Sequence, residues 1–314
     1  MALDALIVGC GDVGCRVAQR LSARGLVTIG TVRSEARVRL LSELGVRGIA
    51  LDLDAIPLPA GALPQQLDTI YYFAPPPGSG AEETRLRALL DALPAPPRRL
   101  LYLSTSAVYA DADGAWIDES ADLAPAHDRG RRRLDGERVA QRYAADHGCQ
   151  VVIARVPGIY GPGRLPLERL RSGQPVLSEA ESPFTNRIHA DDLADALIAI
   201  AERGVANAAY NVGDGAPTTM TDYFLRCAEL LGLPAPPQVT MDQARRQFSA
   251  ALLSFLESSK RLDVGALQRL GWAPRYPTLA AGLPHCLDDD AISATLRREG
   301  AVSAPSLRPS GVHK

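Results

Sequence analysis

Leu3-Asp4-Ala5-Leu6-Ile7-Val8-Gly9-Cys10-Gly11-Asp12-Val13-Gly14 decides the fold. A short apolar run leads straight into three glycines spaced G-x-G-x-x-G. Apolar residues then recur at Val13, Val17 and Leu21, one face of a helix, and Gly25 stands where a left-handed cap belongs. The pattern predicts strand, tight turn, helix. Gly9 permits the turn, Gly11 lets backbone approach a pyrophosphate, and Gly14 lets the helix pack close to the strand. Free N–H groups at the helix start, around Asp12 and Val13, then face the phosphates. Glycine is common, so the spacing alone is weak. Its place between a strand and an amphipathic helix makes it a dinucleotide expectation. Cys10 falls at a helix N-terminus, which can lower a thiol pKa, but it reads better as a small residue in a tight turn.

The same logic runs outward. A second strand, Leu26 to Val32, ends at Arg33 and Ser34. A carboxylate there would hold the ribose of NAD, whereas an arginine accommodates the 2′-phosphate of NADP. No carboxylate comes before Glu35, so NADP is preferred over NAD; the competing reading makes Arg33 a solvated helix-start residue. A third strand, Arg47 to Leu51, ends near Asp52, where a carboxylate or amide can touch an adenine. Asp68 to Ala74 reads as a buried fourth strand, followed at its carboxyl end by Pro75-Pro76-Pro77-Gly78. Ligands sit at such ends. A helix is expected over Glu82 to Leu93. Strand five, Arg99 to Leu103, delivers Ser104-Thr105-Ser106-Ala107-Val108-Tyr109. Its hydroxyls either bind a substrate oxygen or merely cap the strand. The strand–helix alternation predicts parallel βαβ units in a doubly wound sheet.

A chain of 314 residues, 46% hydrophobic, can bury a large core. A net charge of −2 gives no long-range attraction to nucleic acid. No apolar run reaches the roughly 20 residues needed to span a membrane. No charged-then-apolar pattern opens the sequence, so no signal peptide is expected. Five scattered cysteines form no metal-ligand spacing and no disulfide framework. These features point to a reducing, cytoplasmic compartment and to no metal.

The motifs together resemble the extended short-chain dehydrogenase/reductase superfamily, in its NAD-dependent epimerase/dehydratase group. They are Gly9 to Gly14, Ser104 to Tyr109, Asp118-Glu119 with Pro125, Arg155 to Gly163, Asn186 to Ala194, Tyr210 to Gly213 and Leu270 to Pro277. The resemblance implies a Rossmann-type α/β fold, a doubly wound parallel sheet with a small, mostly helical C-terminal substrate lobe. The dinucleotide-binding domain is expected over 1–156 and 184–212, the lobe over 157–183 and 213–300, and a disordered tail over 301–314. It also implies that Pro157, Gly158 and Ile159 lie over the nicotinamide, joining Ala74 and Pro75 on the cofactor side.

Thr105 matches the family's catalytic Ser/Thr, with Ser106 as a neighbouring substitute. The family's base is a tyrosine, four residues before a lysine. Aligning Gly130 and Glu137 puts Arg129 at the tyrosine position and Arg133 at the lysine position. Arginine stays protonated, so Arg129 cannot act as a general base near neutral pH. Three readings follow. Tyr109, Tyr160, Tyr72 or a water supplies the proton; or the arginines bind an anionic substrate; or the protein binds dinucleotide without turnover, as a redox sensor or partner-binding protein. An NAD(P)-dependent oxidoreductase or epimerase-like enzyme with a small polar, sugar-derived substrate is the leading expectation, as monomer or homodimer. Arg131 and Arg132 read as a solvated face.

In the second lobe, Leu165 to Arg171 is expected to form a helix and Ser182 to His189 to return to the main sheet. His189 fits a structural role at a helix start, with Asp191 or Asp192 as its N-cap. Thr221 or Asp222 starts a further helix, and Met241 to Leu256 reads as one helix. Arg187, Lys260 and Arg261 either meet a phosphate or carboxylate or are surface charges.

Overall fold

The structure is a computed structural model and describes residues 3–59, 61–288 and 290–303. Seven parallel strands form the central sheet: β1 (Leu3–Val8), β2 (Thr28–Val32), β3 (Gly48–Ala50), β4 (Leu67–Tyr72), β5 (Arg99–Thr105), β6 (Gln150–Val156) and β7 (Ala209–Asn211). Their spatial order is β7-β6-β5-β4-β1-β2-β3. The order reverses beside β1, which opens a crevice at the carboxyl ends of β1 and β4.

Strand alternation sorts the core. Ile7, Tyr71, Leu101 and Val152 face one side of the sheet; Leu6, Ile70, Leu100 and Val151 face the other. The first side is covered by α1 (Asp12–Ala23), α2 (Glu35–Glu43) and α5 (Ala190–Arg203), the second by α3 (Thr84–Asp91) and α4 (Asp128–His147). Helix α1 follows the expected periodicity, with Val13, Val17 and Leu21 buried. Beyond the sheet, α6 (Met220–Leu230) joins Tyr160, Leu170 and Leu283 in a separate apolar cluster. Helix α7 (Ala291–Ser303) returns to α1. The tail expectation for 301–314 meets a helix through Ser303; 304–314 lie outside the described residues. No helix among the described residues is long and apolar enough to cross a membrane.

Several local expectations are corrected. Ser182 to His189 does not rejoin the seven-stranded sheet. The edge of β6 is taken by β7, so Arg187–His189 pairs instead with Gly158–Tyr160, beyond Pro157. Phe184–Thr185 pairs with Thr218–Thr219. The helix expected over Met241 to Leu256 is two, Met241–Gln247 and Ala250–Leu256, because Phe248 is extended and Ser249 caps the second by accepting from Leu252 N. Thr219, not Thr221 or Asp222, caps α6. His189 itself caps α5: its Nδ1 accepts from Asp191 N. The two aspartates are used elsewhere. Asp192 accepts from Arg275 N and Tyr276 N, and Asp191 from Arg16 and Arg20.

Candidate active site at the carboxyl edge of the sheet

The glycine turn is held against β4. Ala74 N donates to Val8 O at 2.9 Å, and Cys10 N to Thr31 O at 2.8 Å. Gly9 has φ +84, and a Cβ there would meet Ala74 N at 2.5 Å, so only glycine fits. A Cβ on Gly14 would press on Ile7 and Gly9 O at 3.2–3.3 Å, which is close helix–strand packing. A Cβ on Gly11 would meet nothing within 4 Å. The middle glycine therefore faces open space at the α1 N-terminus, the geometry that a pyrophosphate needs. Cys10 is buried, and its thiol is pushed well up by a hydrogen bond with Cys15 and by burial, which makes it a packing residue.

Three cavities follow one another along this edge. The first, about 100 Å³, is lined by Gly9, Thr31, Arg33, Leu51, Leu53 and Arg85 among others, and ends at Ala74 and Pro75. Arg33 is 66% exposed and lies 3.5 Å from Asp54 and 3.9 Å from Asp52. Ser34 caps α2, accepting from Arg37 N. Asp52 does not line the cavity; its neighbours Leu51 and Leu53 do. Sequence reasoning missed Arg85, which forks onto Asp54 with two 2.6 Å bonds and also donates to Pro75 O at 2.9 Å.

The second cavity, about 400 Å³, shares Pro75 with the first and runs past Pro77, Thr105, Arg133 and Ile159. Arg133 donates to Leu103 O at 2.7 Å, bracing the end of β5. Arg132 also lines it and donates to Gly80 O, so only Arg131 keeps the solvated-face role.

The third, also about 400 Å³, shares Thr105, Arg129 and Pro157 with the second. Strand alternation sends Ser104 inward to Glu137 and leaves Thr105 facing the cavity, with Ser106 beside it. Thr105 pairs with Val156 across β5 and β6, and its hydroxyl oxygen accepts from Ala107 N at 3.3 Å, capping the turn after β5. Arg129 lies 3.3 Å over the Phe255 ring, and burial lowers its pKa. Arg187 lies 3.5 Å over Tyr223, and Lys260 is 7% exposed; burial lowers both pKa values. Among the described residues, Arg129, Arg187 and Lys260 are the charged side chains of this cavity, and no carboxylate lines it. Phe184 and Phe255, invisible to motif reading, supply apolar walls. Arg261 is not part of it; it packs on Trp116 and Phe184 and donates to Gly114 O.

The tyrosines offered as proton donors point elsewhere. Tyr109 is buried, donates to Asn211 Oδ1 at 2.7 Å and accepts from Arg155 at 2.9 Å; burial pushes its pKa up to about 12. Tyr72 is buried and stacked on Tyr102. Tyr160 is buried edge-on to His189. The structure also gathers His189, Asp191 and His285 with ligand-type atoms within 4.8 Å, a set that the sequence did not suggest. Several of these atoms are already engaged. His189 Nδ1 holds the Asp191 amide, its Nε2 lies 3.1 Å from His285 Nδ1, and Asp191 binds Arg16 and Arg20.

Residues 5–213 match the family described as the NAD dependent epimerase/dehydratase family, well over half of the chain. The chain belongs to that family. A curated relative, Protein YeeZ of Escherichia coli K12, is 28% identical over 248 residues, 74% of this chain and 85% of that one. A solved structure of a functionally unknown conserved protein from Silicibacter pomeroyi superposes with a TM-score of 0.76 at 30% identity, covering 91% of this chain and 98% of that one. The UDP-glucuronic acid 4-epimerase of Bacillus cereus in complex with NAD shares the fold, with a TM-score of 0.72 at 17% identity over 94% and 99% of the two chains. The chain spans about a quarter (27%) of the length of trifunctional UDP-glucose 4,6-dehydratases of Arabidopsis thaliana, which are 23% identical over 57% of this chain.

Proposed function

We propose that this family member is an NAD(P)-dependent oxidoreductase or epimerase-like enzyme acting on a small polar, sugar-derived substrate in the cleft between sheet and C-terminal lobe. The observation that carries the reading is the row of three neighbouring cavities, which share Pro75 and then Thr105, Arg129 and Pro157 in their walls. That succession suits a dinucleotide followed by a substrate. In this reading Gly9 to Gly14 hold the diphosphate, Arg33 and Ser34 the adenosine ribose end, and Ala74, Pro75, Pro157, Gly158 and Ile159 the nicotinamide half. Arg33 favours NADP, because an exposed guanidinium matches a 2′-phosphate.

The residues on the cofactor side would hold a nicotinamide, which would supply hydride exchange with the substrate carbon. Thr105 holds the oxygen on that carbon, with Ser106 in reserve. Arg133 occupies the family's lysine position and braces β5. Arg129 occupies the tyrosine position and stays protonated, so the hydroxyl proton passes to water rather than to a side-chain base. A sugar-derived substrate is supported by relatives named for UDP-sugar chemistry.

The test is a titration with NADPH and NADH, following nicotinamide fluorescence. Tighter NADPH binding, weakened selectively by Arg33→Ala, supports the reading. Equal binding of both removes Arg33 as a phosphate reader. No binding of either, or of the oxidised forms, overturns it.

A further inference from the structure

Arg129 stands where the second and third cavities meet, with Thr105 and Pro157. It lies in the first turn of α4, where the helix dipole disfavours a cation. Its neighbour Asp128 is taken by Arg131. Among the described residues, Arg129 makes no ion pair; its one close partner is the Phe255 ring, which fixes the guanidinium by a cation–π contact. Burying a cation without a partner is costly. Arg133 and Arg155, by contrast, donate to carbonyl oxygens and to a carboxylate. Arg129 is therefore a half-buried guanidinium, held on a ring, in the wall that the two cavities share.

Resting on the proposed cofactor reading, we propose that Arg129 is a specificity-determining residue that grips a carboxylate attached to the carbon exchanging hydride. The substrate class is then a polyhydroxylated 2-hydroxy or 2-oxo acid. Thr105 takes the hydroxyl or carbonyl oxygen, and Arg129 takes the neighbouring carboxylate with two parallel N–H···O bonds. Arg187 and Lys260, further along the same cavity, which no carboxylate lines among the described residues, add to its preference for anions. The assignment also explains why a cation replaces a base at this position: a tyrosinate there would repel the carboxylate.

The test uses calorimetric titration of NADPH-saturated protein with D-gluconate and with D-glucitol, the same carbon chain with CH2OH in place of the carboxylate. Gluconate is expected to bind at least about tenfold tighter, in line with a charge-assisted bidentate pair. Arg129→Gln is expected to remove most of that ratio, the remainder coming from Arg187 and Lys260, with gluconate affinity falling far more than glucitol affinity, and Arg129→Lys to keep a larger part of it. Equal affinities in the native protein, binding of neither compound, or a ratio undiminished in Arg129→Gln would overturn the proposal. Failure of NADPH to bind counts against the cofactor reading instead. The same pair titrated into the protein alone then still decides the carboxylate preference.

Discussion

Arg155 and Glu137 meet in the interior, with Nη2 of the first 2.8 Å from Oε2 of the second. The pair ties β6 to α4. Glu137 also accepts from Ser104 at the end of β5, and Arg155 donates to Tyr109 Oη and to Glu119 O. Burial works against the Arg155 charge, but Glu137 and Tyr109 outweigh it and hold its pKa above the ordinary arginine value. The network therefore fixes the register between Thr105, one residue along β5, and Arg133 and Arg129, about one and two turns earlier on α4.

Removing one partner leaves the other charge buried. Glu137→Ala is expected to cost about 3–5 kcal/mol, whereas Glu137→Leu combined with Arg155→Met costs less than either single change. Urea unfolding reads this as a shift in midpoint at constant slope. A double variant that is less stable than both singles would contradict it.

Arg16 is a second hub. Its side chain is 4% exposed and binds Asp12 and Asp191 at 2.9 Å, Asp290, and Ser293 of α7 at 3.3 Å. Burial disfavours its charge, but the three carboxylates outweigh burial and raise its pKa. Arg164 closes on the same Asp12 at 2.6 Å. Arg16→Met is expected to leave three carboxylates clustered, lower stability by about 3–5 kcal/mol, and release α7 from α1. Hydrogen exchange should rise first over 291–303. Unchanged protection there would separate α7 docking from Arg16.

His189 sets an acid-side term. Burial holds its imidazole neutral, with the pKa down to about 4 from 6.5. Between those values the unfolded chain takes up a proton that the folded chain refuses. Stability from this group is intact above about pH 6.5 and is lost as pH falls towards 4, by up to about 3 kcal/mol. Asp214 opposes it: burial raises that carboxyl to about 7, so its contribution weakens as pH rises from about 4 to 7. The difference between native protein and His189→Asn isolates the histidine, because asparagine keeps the cap without titrating. That difference is expected to grow in favour of native protein from pH 4 to 6.5. A flat difference would refute the assignment.

Much of this was legible in the sequence because local pattern and fold agree. The apolar run before Gly9, the helical spacing of Val13, Val17 and Leu21, and the hydroxyl run after Leu103 each point to the element found. What was hidden depends on distant partners. His189 outcompetes Asp191 as a cap because two arginines on α1 already hold that carboxylate. The break at Phe248 rests on one extended residue and a Ser249 cap inside an otherwise helical pattern. Arg129, Arg187 and Lys260 line one cavity only after three separate segments fold together. No periodicity within any one segment encodes that.

The sharpest separation of fold from ligand binding lies at Gly11. Its φ of −87 is open to any L-residue, and a Cβ there meets nothing within 4 Å. Gly9 differs, with φ +84 and a Cβ clash against Ala74. Gly9→Ala is therefore expected to destabilise the protein itself. Gly11→Ala is expected to leave stability within about 0.5 kcal/mol, as for an unstrained surface site. If the space over Gly11 receives a diphosphate, the added methyl stands where backbone and phosphate must approach, and NADPH affinity should fall at least about tenfold. Thermal unfolding and the fluorescence titration, run on the same preparation, measure the two effects separately. Full NADPH affinity in a stably folded Gly11→Ala protein would move the diphosphate away from this turn, and with it the cofactor-side assignment of the first cavity.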